Sequence, residues 1–552
     1  MQLSETSQEG VARFRFHLVP IFALGLMGLI APVVSRAQQG AQEGPEMSVQ
    51  PEFPLYQAVL GPSTRDITTD FPGAQAYYKQ GMQMMYAFTL PAGLASFEEA
   101  QRQDPNCAMC YFGEAWARGP FLNGEMRASN APLAFEAIQK ALDLGEESAT
   151  PVERALIEAM SLRYLEEEDE GRRPQLDSAY AQAMAEVYRA YPDDLDVGTF
   201  YAESLMLLNP VRALYRLEDP AVRRFHGVLE EVLAKNITHP WACHLYVHAT
   251  EATEAPGKAE ACADLLGNSI PGSSHINHMP SHTYNEIGRW NSAVRSNIEA
   301  WHSDQRAAWE EGVSYAATHN LHMLFFAGSM AGQGGVSLRA AKAYTDQVPD
   351  GIFYEALILL RFGWFDEILK LEEVPEQPIQ RGLFEFALGY AYLRGGEADI
   401  ARVYLNRVRE AAANTPEDVK IRGRHTASQL LGITAGILEG EILREEGLLD
   451  EAVTVFEAAV ELHEGLAYDE PEPLNFGAHH WLGAALLEAD RPEKAEEIYR
   501  ASLVMHPHNG WSIYGLEQAL RAQGRNAEAD EARAYFQEVW TETDTLIRSS
   551  RF

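Results

Sequence analysis

Cysteine is scarce, with four in 552 residues. That is too few for a disulfide scaffold, and no second C-x-x-C joins Cys107 and Cys110 to complete a structural zinc knuckle. Basic residues are outnumbered: 44 Lys+Arg face 80 Asp+Glu, for a net charge of −36. Such a surface repels phosphate backbones and anionic lipid heads, so nucleic acid is not expected as a ligand. Long apolar runs are missing except near the N-terminus. No Gly-rich phosphate loop, G-x-S-x-G elbow or H-E-x-x-H string occurs, which removes most of the weight from nucleotide-binding, α/β-hydrolase and zincin readings. What is plentiful is core: hydrophobic residues make up 46% and charged residues 22%, enough for several domains or one long repeat array.

The single apolar run has the parts of an export signal. Arg13 and Arg15 precede a stretch from Leu18 to Val34, interrupted by Pro20, Gly25, Gly28 and Pro32. Ser35-Arg36-Ala37 then places small residues at the −3 and −1 positions of a cleavage site. Residues 1–37 read as a signal peptide, and the protein as periplasmic or secreted. The alternative is an uncleaved N-terminal anchor facing away from the cytoplasm, although the run is short for a span of about 20 residues. Residues 38–70 read as a linker and N-terminal extension.

Beyond it, small residues and aromatics recur at fixed offsets. Gly81, Phe97, Ala100 and Pro105 are spaced as positions 8, 24, 27 and 32 of a 34-residue helical hairpin. Gly483, Ala495, Tyr499 and Pro507 fit positions 8, 20, 24 and 32. Gly389, Ala401 and Leu405, and then Gly440, Ala452, Phe456 and Ala459, repeat the pattern, and Leu516 with Ala529 close it. This spacing resembles tetratricopeptide (TPR) repeats. The expected fold is an all-α, TPR-like helical-hairpin solenoid, a right-handed superhelix with a concave groove. A 71–345 array would carry a histidine cluster, and a second array would cover 346–545. Positions 8 and 20 are small where the two helices of a repeat cross, and no hairpin buries its apolar face without neighbours. The segments from Glu153 to Leu165 and from Pro174 to Ala190 read as amphipathic helices, and 119–131 and 464–475 as long irregular connections.

In the middle of the chain Ala259 and Ala293, 34 residues apart, both stand at position 20. On that frame His244, His248 and Glu251 occupy positions 5, 9 and 12 of one first helix, and His275, His278 and His282 occupy positions 2, 5 and 9 of the next. Histidines four apart share a helix face, with Cβ atoms about 5–6 Å apart, and packed helices lie about 8–10 Å apart. Four imidazoles, His244, His248, His278 and His282, can therefore converge on one ion at about 2 Å. His275, His319 and His322 would be further ligands or would orient them, and Glu251 would be a ligand, an orienting partner or a proton carrier. Nitrogen ligation suits copper, iron, zinc or nickel without choosing among them. The competing reading is a metal-free polar groove that holds a peptide or protein partner. Cys243 and Cys262 fall on opposing helices of one repeat, as a disulfide or as two buried thiols.

The chain also resembles a subgroup of exported bacterial TPR-like proteins. The matching strings are Asp104-Pro-Asn-Cys-Ala-Met-Cys-Tyr-Phe-Gly113, Tyr201-Ala-Glu-Ser-Leu-Met206, His244-Leu-Tyr-Val-His248-Ala-Thr-Glu251, His278-Met-Pro-Ser-His282, His319-Asn-Leu-His322, Tyr468-Asp-Glu470-Pro471 and Asn509-Gly-Trp511-Ser. Asn209-Pro210-Val211 and His479-His480 depart from that pattern, which puts substrate choice in doubt more than the histidine core. The resemblance implies an enzyme-like pocket and names no reaction. It also implies that Tyr468 and Glu470 bring a phenol and a carboxylate to the groove, where the residues alone read as a solvated acidic loop. The expectation is a metal-dependent oxidoreductase or hydrolase acting on a small molecule in the groove, with Glu251, His275, His319, His322, Tyr468 and Glu470 around the ligands. His479 and His480 fall at positions 4 and 5 of their repeat; His480 would face the groove far along the chain from the cluster, where packing or solvation is the expected role.

Overall fold

The computed structural model describes residues 46–552 apart from 57–58, 63–64, 168, 170, 210–213 and 309–312. The signal at 1–37, the start of the linker and the Pro210-Val211 departure lie outside the described residues. Among those described, no helix is long and apolar enough to cross a membrane.

The described residues form 25 α-helices, two short 3-10 turns and one two-stranded ribbon, Lys420–Ile421 against His425–Thr426. The fold is an all-α, TPR-like solenoid of helical hairpins. Successive helices pack on one another, as Pro72–Tyr86 does with Leu90–Gln103 and Ala427–Glu445 with Leu449–Glu464. The two amphipathic segments form the Pro151–Ser161 and Arg173–Ala190 helices.

The glycine and the aromatic of the repeat prove to be one device. A Cβ on Gly81 would lie 2.5 Å from the Phe97 ring, and one on Gly483 would lie 2.4 Å from Tyr499. The same rings press on the following first helix, where Cβ atoms on Gly113 and Gly515 would lie 2.3 and 2.2 Å away. Each ring is thus wedged between two successive first helices. Position 8 is small for the aromatic at position 24 as well as for the helix crossing.

The solenoid doubles back at both ends. Near the start, the Tyr86 hydroxyl donates to Asp196 (2.6 Å), Arg65 pairs with Asp194 (2.8 Å), and Tyr86 stacks on Trp241. The first hairpin therefore rests on the Leu195–Met206 and Pro240–Thr250 helices. Near the end, Trp290 donates its indole N–H to the Pro507 carbonyl (2.9 Å) and Trp511 donates to that of Ser329 (3.1 Å). Asp544 accepts from the amides of Gly334 and Gly335 (2.7 and 2.8 Å) at the N-terminus of the Gly334–Thr345 helix. Two apolar cores result, one spanning Ile67 to Met279 and the other Ala263 to Ala529. The histidine-bearing helices lie where they meet.

Candidate metal centre

His244 and His248 stand one turn apart on the Pro240–Thr250 helix, whose residues are all buried. His275, His278 and His282 come from Ser274–His278 and Pro280–Glu286, which run together through Met279 at helical angles (φ −50, ψ −37). His319 and His322 sit on Ala317–Ala331.

Hydrogen bonds turn the rings of His244, His248 and His278 so that Nε2 faces the cluster. His244 donates Nδ1–H to the Tyr86 carbonyl at 2.6 Å; a carbonyl has no proton to offer, so the lone pair belongs to Nε2. His248 Nδ1 lies 2.8 Å from Glu251 Oε1. His278 Nδ1 lies 2.7 Å from Asn297 Oδ1, and the Asn297 amide donates to the Ala293 carbonyl at 2.9 Å, which fixes its orientation too. His282 Nδ1 approaches Glu251 Oε2 to 2.6 Å. Three Nε2 atoms, of His244, His248 and His278, are thereby presented by hydrogen-bonded oxygen partners, the arrangement that orients imidazoles around metal ions, while His282 is held by an ion-pair contact with Glu251.

The ligand atoms fall into two triads and a carboxylate group. His244, His248 and His275 offer nitrogens within 4.8 Å of one another, as do His278, His282 and His319; Glu251, His282 and Glu470 form the third group. His244 Nε2 faces His275 Nε2 at 3.1 Å, and His278 Nε2 faces His282 Nε2 at 2.8 Å. The edge of a tetrahedron with metal–nitrogen bonds of about 2.0 Å is about 3.3 Å. Both spacings also suit an N–H···N hydrogen bond in the metal-free protein, but His248 Nε2 is buried without a hydrogen-bond partner, and an ion held by its triad would satisfy it. The four imidazoles expected on one ion are shared between two triads, completed by His275 and His319.

Burial and neighbouring imidazoles hold His244, His275, His278 and His319 well below the ordinary histidine range, so they stay neutral. His282 is the exception. Burial lowers it, but the charge of Glu251 outweighs this and raises it to about 9. Burial in turn pushes Glu251 up, and the charges of His282 and His248 bring it well below its usual range. In the metal-free protein one proton therefore resides on His282, shared with His278, where an ion would replace it.

Glu470 lies 3.6 Å from His282 Nδ1, and burial followed by the charge of Glu251 raises it. Tyr468 is raised by burial and by the nearby charge of Glu470. Both line a small cavity of about 120 Å³, partly open to solvent, that runs from His282 past Glu286 to His463 and His506. His322 is close by in sequence but falls outside the three groups: its Nδ1 accepts from Arg422 at 3.2 Å. His479 meets Glu464 (3.0 Å) and His480 meets Arg361 (3.3 Å), also outside the three groups. Both cysteine pairs are disulfides, and Cys243–Cys262 ties the helix carrying His244 and His248 to Glu260–Leu266.

Several site residues carry no periodic mark in the sequence. Phe88, in left-handed backbone (φ 55), lays its ring 4.3, 5.8 and 5.4 Å from His244, His248 and His275. Tyr315 packs against His275 at 4.6 Å. Arg422, at the tip of the ribbon, holds Asp469 (2.7 Å) and the Glu470 carbonyl (2.7 Å), and His425 adds a bond to Asp469 (3.1 Å). The ribbon thus pins the 464–475 connection over the cluster.

No family model matches the chain, and no curated protein matches it. Among solved structures it is similar to a human IFIT1 dimer with m7Gppp-AAAA, at 9% identity over 88% of this chain and 92% of that one, with a TM-score of 0.29. It is also similar to Naa15/Naa10 bound to HypK-THB, at 14% identity over 85% and 71%, with a TM-score of 0.23. At these scores the likeness is too loose to bear on function.

Proposed function

We propose that the chain is an exported metalloenzyme with a two-ion centre, one ion on His244, His248 and His275 and the other on His278, His282 and His319. The observation that carries this is the set of three Nδ1 hydrogen bonds and one Nδ1 ion-pair contact, which turn the Nε2 atoms of His244, His248, His278 and His282 toward two triads. Three imidazoles per ion leave a coordination position open to a small molecule, as in catalytic sites. Copper, zinc and iron suit such donors, and the ions supply either Lewis-acid activation of water or electron transfer according to which metal loads. Glu251 holds His248 and His282 in place from between the triads. Glu470 and Tyr468 stand where the cavity meets His282, and Glu470, raised by burial and by Glu251, is placed to exchange a proton with a bound molecule. Two disulfides among the described residues suit an oxidising compartment.

A metal-free groove for an extended peptide needs an open polar strip, whereas His244, His248, His275, His278 and His282 are at most 4% exposed. Elemental analysis of protein from metal-replete cells tests the proposal. The expected result is about two ions per chain, with His248→Ala emptying one triad and leaving the fold intact. Protein that carries no metal, and whose stability and ligand binding ignore chelators, would sink it.

A further inference from the structure

In a chain of net charge −36, a cavity walled by arginines stands out. It is a partly open cavity of about 360 Å³, and Arg361, Arg394, Arg444, Arg548 and Arg551 all border it. The first three occupy the last turns of the Ile352–Arg361, Pro378–Arg394 and Ala427–Glu445 helices. The other two come from the C-terminal tail, which Ser550 fastens by donating to the His480 carbonyl at 2.8 Å.

Three of the five are matched by acids. Arg394 reaches Glu445 (4.0 Å), Arg444 lies 3.2 Å from Glu441, and Arg551 lies 2.9 Å from Glu441 and 2.6 Å from Glu488. Against five guanidinium groups stand three side-chain carboxylates, Glu441, Glu445 and Glu488, and two of the guanidinium groups have no side-chain acid partner. They belong to Arg361 and Arg548, neither of which has a carboxylate partner among the described residues.

Arg361 is the telling one. It is 0% exposed, one Nη donates to His480 Nδ1 at 3.3 Å, and the group lies 3.9 Å from the Trp511 ring centroid. Its Nε and other Nη have no hydrogen-bond partner. A guanidinium does not shed its proton, so this is a buried cation without an anion. Helix C-termini and aromatic faces both favour cations, but each effect is smaller than the cost of desolvating a guanidinium.

We propose that this cavity binds the oxoanion group, phosphate or carboxylate, of a small ligand, with Arg361 and Arg548 as its charge partners. Phe362, Trp511 and Phe552 offer apolar walls to the rest of that ligand. The site shares no residue with the metal centre, and occupancy would clamp the tail to the solenoid.

Thermal unfolding of the full chain in inorganic phosphate and, separately, in benzoate reads the site, each against chloride at matched ionic strength. A saturable rise in Tm is expected with at least one: phosphate alone names a phosphoryl ligand, benzoate alone a carboxylate, and both the shared chemistry. Arg361→Met should weaken the effect at least about tenfold, the loss of a charge-assisted hydrogen bond. Arg548→Gln, at an exposed position, should fold normally and weaken it about threefold; it decides the matter if Arg361→Met fails to fold. No saturable rise beyond chloride, or a rise that Arg548→Gln and every folded Arg361 variant leave unchanged, overturns the proposal.

Discussion

Asn297 never meets the ions in the proposed centre, yet it decides what His278 can do. Its amide is held at one end by the Ala293 carbonyl and at the other accepts Nδ1–H of His278. Asn297→Ala should leave the helix intact and release the ring, lowering metal affinity about 10- to 100-fold, as partners of metal ligands do elsewhere; competition with a chelator measures it. A second residue-scale expectation concerns the wedge. Gly483→Ala drives a Cβ into Tyr499 at 2.4 Å, and overpacking of this kind costs about 1–3 kcal/mol, visible as a lower urea midpoint. The histidines at 244, 248, 278 and 282 were legible because helical periodicity marks a shared face. Their division into two triads was not, because a repeat frame states equivalence along the chain and says nothing of which rings touch. Phe88, Asn297 and Arg422 escaped for the same reason: each is joined to the cluster by a contact distant in sequence, Phe88 from a turn, Arg422 from the ribbon and Asn297 from the Trp290–Ala307 helix.

At the scale of elements, two devices hold the cluster's walls. The Cys243–Cys262 bond closes a loop with a sequence separation of 19, for which constraint of the unfolded chain is worth about 3 kcal/mol. A Cys243→Ala/Cys262→Ala variant should lose about that much in denaturant titrations and hold metal more weakly, since the bond secures the helix that carries His244. The other device is the ribbon. Asp469 is held well below the usual carboxylate range: burial pushes it up, but bonds from His425 and Arg422 outweigh this. Asp469→Asn should cost about 2 kcal/mol, below the full cost of breaking a buried pair because Arg422 is 29% exposed. It should also loosen the connection bearing Tyr468 and Glu470, seen as faster amide exchange there. The sequence marked 464–475 as a loop able to cover the groove. The ribbon that fixes it, two residues per strand, is too short for any alternation to show.

Across the whole molecule, metal-free protein should be acid-sensitive. His244, His275, His278, His319, His322 and His480 all lie well below the ordinary value, chiefly through burial. Below about pH 6.5 the unfolded chain takes up protons that the folded chain refuses, so stability falls with pH by up to about 1.4 kcal/mol per unit for each such group. His282 has the opposite sign: raised to about 9, its contribution is full below about pH 6.5 and lost as pH climbs through 9. Chelator-treated protein should thus be most stable between these limits, and urea midpoints at pH 5, 7.5 and 10 check it. A flat profile would mean that the imidazoles are not buried neutral.

The back-folding of both ends bears on how such a chain can change. An open array with free ends can gain or lose a repeat with little penalty, because each unit answers only to its neighbours. Here Trp290 meets Pro507 and Tyr86 meets Asp196, so the helices between must return the chain to a fixed place. The number of repeats is then quantised by the circumference: a consensus hairpin spliced into the Pro378–Glu464 stretch would spring the closure and leave the ribbon unable to reach Asp469. Modularity, the usual virtue of repeat proteins, has been given up.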